Sequence, residues 1–165
     1  MNYAQINTFD VANGEGIRVS LFVQGCHLHC DGCFNRETWN FDGGKPFTAA
    51  VQQQIFDSIN PHIAGLSILG GEPLAYENYI PVLRLTEKFK SQFPDKTIWL
   101  WTGFNWDVVH MLNIMSYIDV CVAGPYIKAQ RDLSLAYCGS SNQEVIDVQA
   151  SLKSGHKCLY HKETV

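Results

Sequence analysis

Three of the chain's six cysteines fall in the stretch Gly25-Cys26-His27-Leu28-His29-Cys30-Asp31-Gly32-Cys33-Phe34-Asn35. Gaps of three and then two residues let several sulfurs converge on one centre without distorting the backbone, which is metal-ligand spacing. The number of thiols matters as much as their spacing. A structural zinc or a closed iron–sulfur cluster takes four protein ligands, whereas a site that binds substrate at the metal keeps one position free. Three close thiolates therefore suit a [4Fe–4S] cluster with one open iron. The competing arrangement is zinc, with His27 or His29 completing a three-cysteine, one-histidine set.

A second stretch able to serve such a centre is Gly70-Gly71-Glu72-Pro73. Two glycines permit a positive-φ bend and a close approach of main chain to ligand, with Glu72 placed for an ammonium group. The same four residues also make a plain strand-ending turn.

Cys26-x-x-x-Cys30-x-x-Cys33 followed by Phe34 resembles the signature of radical S-adenosylmethionine (SAM) enzymes, and Gly70-Gly71-Glu72-Pro73 resembles their second motif. Three further stretches narrow the resemblance: Asn13-Gly14-Glu15-Gly16-Ile17-Arg18-Val19, Asn35-Arg36-Glu37-Thr38-Trp39 and Gly139-Ser140-Ser141-Asn142-Gln143. Together they are similar to the activating proteins of anaerobic (class III) ribonucleoside-triphosphate reductases, from about residue 7 to 148. The resemblance implies Cys26, Cys30 and Cys33 as ligands of a [4Fe–4S] cluster whose open iron takes the amino and carboxylate groups of SAM. It implies Gly32, Cys33, Phe34, Gly70, Gly71, Glu72, Pro73 and Thr102 as cofactor-binding positions; Thr102-Gly103 and Gly124-Pro125-Tyr126 follow strands, which allows them either to face the nucleoside or to form plain turns.

The function so implied is an activase that cleaves SAM reductively and generates a glycyl radical on the reductase's glycyl radical subunit. A flavodoxin- or ferredoxin-like donor would supply the electron. Three alternatives stay open: a compact radical SAM enzyme acting on a small molecule of the deazapurine type, an activase of another glycyl radical enzyme, and a non-catalytic, zinc-stabilised binding domain. The chain departs from the family at Ala123, where many members carry an aspartate before the glycine corresponding to Gly124. Arg36, Asp119, Arg131 and Asp132 are the polar residues that could compensate.

These groups need elements to position them. Residues 17–23 form an apolar, β-branched run; Thr48 can cap a helix carrying Val51, Ile55 and Ile59; residues 66–69 read as a short strand ended by glycines. A helix from about Asn78 has Pro81 in its tolerated first turn, Leu85 and Phe89 on one face and Pro94 beyond its end. Residues 97–101 read as a strand, 106–115 as a helix, and 117–122 and 145–148 as strands. Alternation of this kind predicts an α/β fold with a mostly parallel sheet and right-handed crossovers. A complete eight-fold barrel takes ~250 residues, so the expectation is an incomplete, splayed (β/α) barrel of radical SAM type, residues 1–165 forming one domain. Its active site would lie at the carboxyl ends of the strands, where the Cys26 and Gly70 loops meet.

Composition fits this reading. The chain of 165 residues is 46% hydrophobic, enough for a real core. A net charge of −4 without a lysine or arginine run gives no sign of nucleic-acid binding. No apolar run approaches the ~20 residues of a membrane span, and Met1-Asn2-Tyr3-Ala4-Gln5 is not a signal sequence, so a cytoplasmic protein is expected. Cys121, Cys138 and Cys158 then read as reduced, structural thiols. A second metal site from His156, Cys158 and His161 lacks a fourth ligand, which makes residues 155–161 a plain C-terminal segment.

Overall fold

The chain begins with β1 (Asn2–Asp10), a strand without clean apolar alternation and therefore not anticipated from sequence. It returns as a hairpin onto β2 (Ile17–Val23), the apolar run that was. β3 (Lys45–Pro46) pairs on the outer side of β1. α1 (Ala49–Asp57) is capped by Thr48, whose hydroxyl accepts from the Val51 N–H at 3.3 Å; it ends before Ile59, which packs against the core from the following turn. β4 (Ile63–Gly70) extends further toward the N-terminus than residues 66–69. α2 (Tyr76–Gln92) starts two residues earlier than expected, so Pro81 sits in its second turn rather than its first. β5 (Thr97–Thr102) leads into α3 (Trp106–Val109).

The helix expected over 106–115 is thus one turn long. The His110 ring lies against the Trp106 and Asp107 carbonyls, and Asn113–Tyr117 tightens into a 3-10 turn, whose end is held by Gln149 Nε2 donating to the Ile118 carbonyl at 2.6 Å. β6 (Val120–Ala123), β7 (Glu144–Asp147), α4 (Val148–Ser154) and β8 (Cys158–Leu159) follow. In this computed structural model, which describes residues 1–161, the strands form one eight-stranded sheet in the order β3-β1-β2-β4-β5-β6-β7-β8.

β2, β4, β5 and β6 run parallel, and every other pairing is antiparallel. The expected parallel sheet is therefore right for the centre and wrong at both flanks. A tight hairpin can only return antiparallel, and the connection from β6 to β7 contains nothing longer than a 3-10 turn, so it stays at one edge of the sheet. Residues 155–161 are likewise no plain tail. β8 extends the sheet, and Tyr160 donates its N–H to the Val145 carbonyl, packs its ring on Trp99 and bonds Glu15.

Alternation sends Val19, Leu21, Leu66, Ile68, Ile98 and Leu100 to one face, where Ile55, Phe56, Val82, Leu85 and Phe89 from the helices cover them. The opposite face carries Arg18, Ser67, Trp99 and Trp101. Among the described residues no helix is long and apolar enough to cross a membrane.

Candidate functional site

The four parallel strands end on one edge, and each ends in a loop with glycine: Gly25, Gly70-Gly71, Gly103 and Gly124. The two motif loops meet as expected. Gly71 donates its N–H to the Val23 carbonyl at 2.8 Å, and Glu72 donates to the Gly25 carbonyl at 2.8 Å. Gly70 takes the positive-φ bend (φ +105), whereas Gly71 does not; a Cβ there would fall 2.4 Å from the Gly25 oxygen. Gly71 is needed for close approach, and what it approaches is the base of the cysteine loop.

Cys26, Cys30 and Cys33 line one cleft, together with Leu28, Phe34, Gly70, Gly71, Glu72, Thr102 and Gly103. Cys26 is buried, and burial pushes its thiol up from the usual range. Residues beyond the cysteines brace their start: the Gly25 N–H donates to the Thr38 carbonyl at 2.7 Å and the Cys26 N–H to that of Trp39 at 3.0 Å. Asn35 donates its N–H to Cys33 Sγ and, through Nδ2, to the Gly70 carbonyl. Two of the expected cofactor positions lie outside the cleft wall. Gly32 is at the exposed outer bend of the loop with φ +72, and Pro73 is buried behind the turn.

Glu72 is 2% exposed, and both of its oxygens are engaged. Oε1 accepts from the Leu74 N–H at 2.9 Å and the Thr102 hydroxyl at 2.8 Å; Oε2 accepts from the Gly103 N–H at 2.7 Å. The carboxyl thus ties the end of β4 to the end of β5. Burial raises its pKa to about 7, against the lowering effect of those three donors.

The cleft reaches onto the face of the sheet opposite the helices, where the sequence assigned no role to Asn13, Trp101, Tyr137 or Gln143, although Asn13 and Gln143 lie in stretches that carry the resemblance. Asn13 sits there because the Ser67 hydroxyl donates to its carbonyl at 2.6 Å while Asp10 holds its side chain. Beneath it, Arg18 is 1% exposed and spends its guanidinium donors on neutral oxygens: Ser67 Oγ, Thr97 Oγ1, and the carbonyls of Glu15, Leu66 and Thr97. Trp101 Nε1 donates to the Tyr137 carbonyl at 2.9 Å, which ties residue 137 across that face. Gln143 accepts from the Gly139 and Ser140 N–H groups and donates to the Gly124 carbonyl, so the stretch 139–143 fastens this wall to the end of β6. The signal for Trp101 was the two-residue alternation of β5 and that for Asn13 and Gln143 the stretches 13–19 and 139–143; Tyr137 depends on a long-range contact.

Phe34 is half exposed, its ring 5.1 Å from Tyr126 and under the Arg131 guanidinium. His29 stacks on Trp39 at 4.4 Å, and His27 bonds Glu77 at 2.9 Å. Ala123 is 2% exposed within the core beside Cys121. Of the polar residues that could compensate for it, Asp119 lies at the opposite end of the strands, paired with Lys90 at 2.7 Å, Asp132 is turned onto Ser134, and Arg36 stacks over Trp39. Among the described residues no group of three or more His, Cys, Asp and Glu side chains is placed to hold a single metal ion.

The sequence of residues 12–146 is matched by a family model described as a 4Fe-4S single cluster domain. The chain is 39% identical over 150 residues to the anaerobic ribonucleoside-triphosphate reductase-activating protein of Escherichia coli (strain K12), covering 88% of this chain and 97% of that one. The protein of the same description from Haemophilus influenzae is 40% identical over 148 residues (87% and 96%), and that from Enterobacteria phage T4 is 39% identical over 146 (88% and 93%). At such identity over most of its length, the chain belongs to the family of anaerobic ribonucleoside-triphosphate reductase-activating proteins.

Proposed function

We propose that this protein is a radical SAM activase that generates a glycyl radical on an anaerobic ribonucleoside-triphosphate reductase. The observation that carries the reading is the convergence of the three-cysteine loop and the Gly70–Glu72 turn on one cleft. Cys26, Cys30 and Cys33 as thiolates would hold three irons of a [4Fe–4S] cluster, and the donor set leaves the fourth iron for SAM. When bound, cluster and SAM supply one-electron cleavage of a carbon–sulfur bond to methionine and a 5′-deoxyadenosyl radical. The main chain at Gly70 and Gly71 would accept from the methionine amino group, with Glu72 holding the ends of β4 and β5 around it. Phe34, Thr102, Gly103 and Tyr126 would flank the nucleoside. Leu28 and Trp101 exclude water from the wall.

In this reading residues 1–165 are one radical SAM domain, the parallel strands forming an incomplete, splayed (β/α) barrel, and the protein works in the cytoplasm. A small barrel has little material to wall off a diffusible substrate, so a docked macromolecule supplies the missing side. Glycine suits as the target, because it has no side chain to obstruct access and its Cα radical is stabilised by the flanking amides. A flavodoxin- or ferredoxin-like donor supplies the electron.

The test mixes reduced, reconstituted protein with SAM and the host's reductase without oxygen and records the electron paramagnetic resonance spectrum. A glycyl doublet that disappears when the reductase's glycine is changed to alanine is expected. SAM cleavage without a radical on that reductase would favour a small-molecule substrate instead.

A further inference from the structure

Asn78 sits in the first turn of α2, only 1% exposed, on a helix whose other inward positions include Val82, Leu85 and Phe89. A buried carboxamide is costly unless its hydrogens are matched. Both are, at equal distance and on two different loops: Nδ2 donates to the Gln24 carbonyl at 3.0 Å and to the Glu72 carbonyl at 3.0 Å. Gln24 immediately precedes Gly25-Cys26, and Glu72 closes the Gly-Gly turn. A second carboxamide continues the chain of contacts. Gln24 is 2% exposed, and its Nε2 donates to the carbonyls of Glu37 at 3.0 Å and Asn40 at 2.8 Å. That segment is the one whose Thr38 and Trp39 carbonyls receive the Gly25 and Cys26 N–H groups.

We propose that Asn78 is a positioning residue for the reaction: by bridging Gln24 and Glu72, alongside the main-chain bonds from Gly71 to Val23 and from Glu72 to Gly25, it holds the register between the cysteine loop and the Gly70–Glu72 turn. The inference rests on the function proposed above, in which the cluster belongs to one loop and SAM lies against the other. An ordinary helix cap bonds its own first turn; a side chain shared between two loops fixes their distance. Neither carbonyl belongs to a metal ligand, so the cluster itself does not need Asn78. What needs it is the register between SAM and the cluster, where displacements of about 1 Å can cost on the order of a hundredfold in rate.

The experiment compares Asn78→Ala with Val82→Ala in the reconstituted full chain. Val82 is fully buried on the same helix and its aliphatic side chain has no hydrogen-bonding atom, so its truncation reports lost packing alone. Four quantities are read: iron content, thermal midpoint, the SAM concentration that changes the cluster's paramagnetic spectrum, and 5′-deoxyadenosine formed per glycyl radical. Asn78→Ala is expected to keep its iron, to need about tenfold or more SAM, and to consume more SAM per radical. Val82→Ala is expected to lose thermal stability with parental SAM dependence and coupling. Parental SAM behaviour in Asn78→Ala overturns the proposal, and so does an equal SAM defect in Val82→Ala. Should Asn78→Ala fail to hold iron, Asn78→Gln keeps the donors on a longer arm: altered SAM dependence at full iron supports the proposal and unaltered dependence overturns it. A parent protein that neither responds to SAM nor cleaves it overturns the proposed function, and this inference with it.

Discussion

Gly71 stands so close to Gly25 that a Cβ on it would meet the Gly25 carbonyl oxygen at 2.4 Å. The Gly-Gly turn and the cysteine loop are therefore in main-chain contact, not merely adjacent. The sequence alone suggests that Gly71→Val would lose SAM and leave the cluster, bound on a separate loop, untouched. The contact changes that expectation: the valine displaces Gly25 and the loop with it, so iron content falls together with SAM affinity. Iron analysis and anaerobic calorimetry on the variant check this, and full iron with no SAM binding would contradict it.

Replacing Cys26, Cys30 or Cys33 by alanine should abolish cluster absorbance and SAM cleavage. Cys121→Ser should keep both. Cys121 is fully buried among apolar side chains, so the added hydroxyl costs about 1–3 kcal/mol of stability, measured by chemical denaturation. Full iron in Cys30→Ala would sink the ligand assignment.

Glu72 predicts a pH dependence. Burial raises its folded-state pKa from 4.5 to about 7, so between those values the folded protein binds more protons than the unfolded chain. The stabilisation is present below about pH 4.5 and is lost as pH rises through about 7, up to roughly 3 kcal/mol in all. In Glu72→Gln that slope should disappear. The amide nitrogen would face the Gly103 N–H, adding a loss of about 1–3 kcal/mol at low pH. Thermal unfolding of both proteins from pH 5 to 8 reads the difference; parallel profiles would refute it.

Arg18→Met should destabilise the protein by about 3–5 kcal/mol, because methionine fills the space while leaving several buried acceptors without their donors. The guanidinium's pKa is lowered to about 10 by burial, which still leaves it charged at neutral pH. An unfolding free energy lowered by less than about 1 kcal/mol at unchanged denaturant slope would contradict this.

What the sequence determined by itself was whatever depends on local spacing. The gaps between Cys26, Cys30 and Cys33, the glycines at 70 and 71, and the apolar runs of β2 and β5 are readable because ligand convergence, backbone bends and strand alternation act over a few residues. The parallel centre of the sheet and the meeting of the two motif loops followed from them. Tertiary structure alone decided the rest. β1 is polar and stands as a strand only because β2 and β3 complete its hydrogen bonds, and residues 155–161 gain their order from β7 and Trp99. The helix expected over 106–115 stops after Val109, where the His110 ring meets the Trp106 and Asp107 carbonyls, and the chain beyond it is held by Gln149, from a distant helix, donating to the Ile118 carbonyl. Glu72 looked ready for a ligand, yet its oxygens answer to Thr102 and Gly103, some thirty residues on. Asn78 marked only the expected start of a helix, since a side chain that joins residues 24 and 72 has a role only after the chain has brought those carbonyls together.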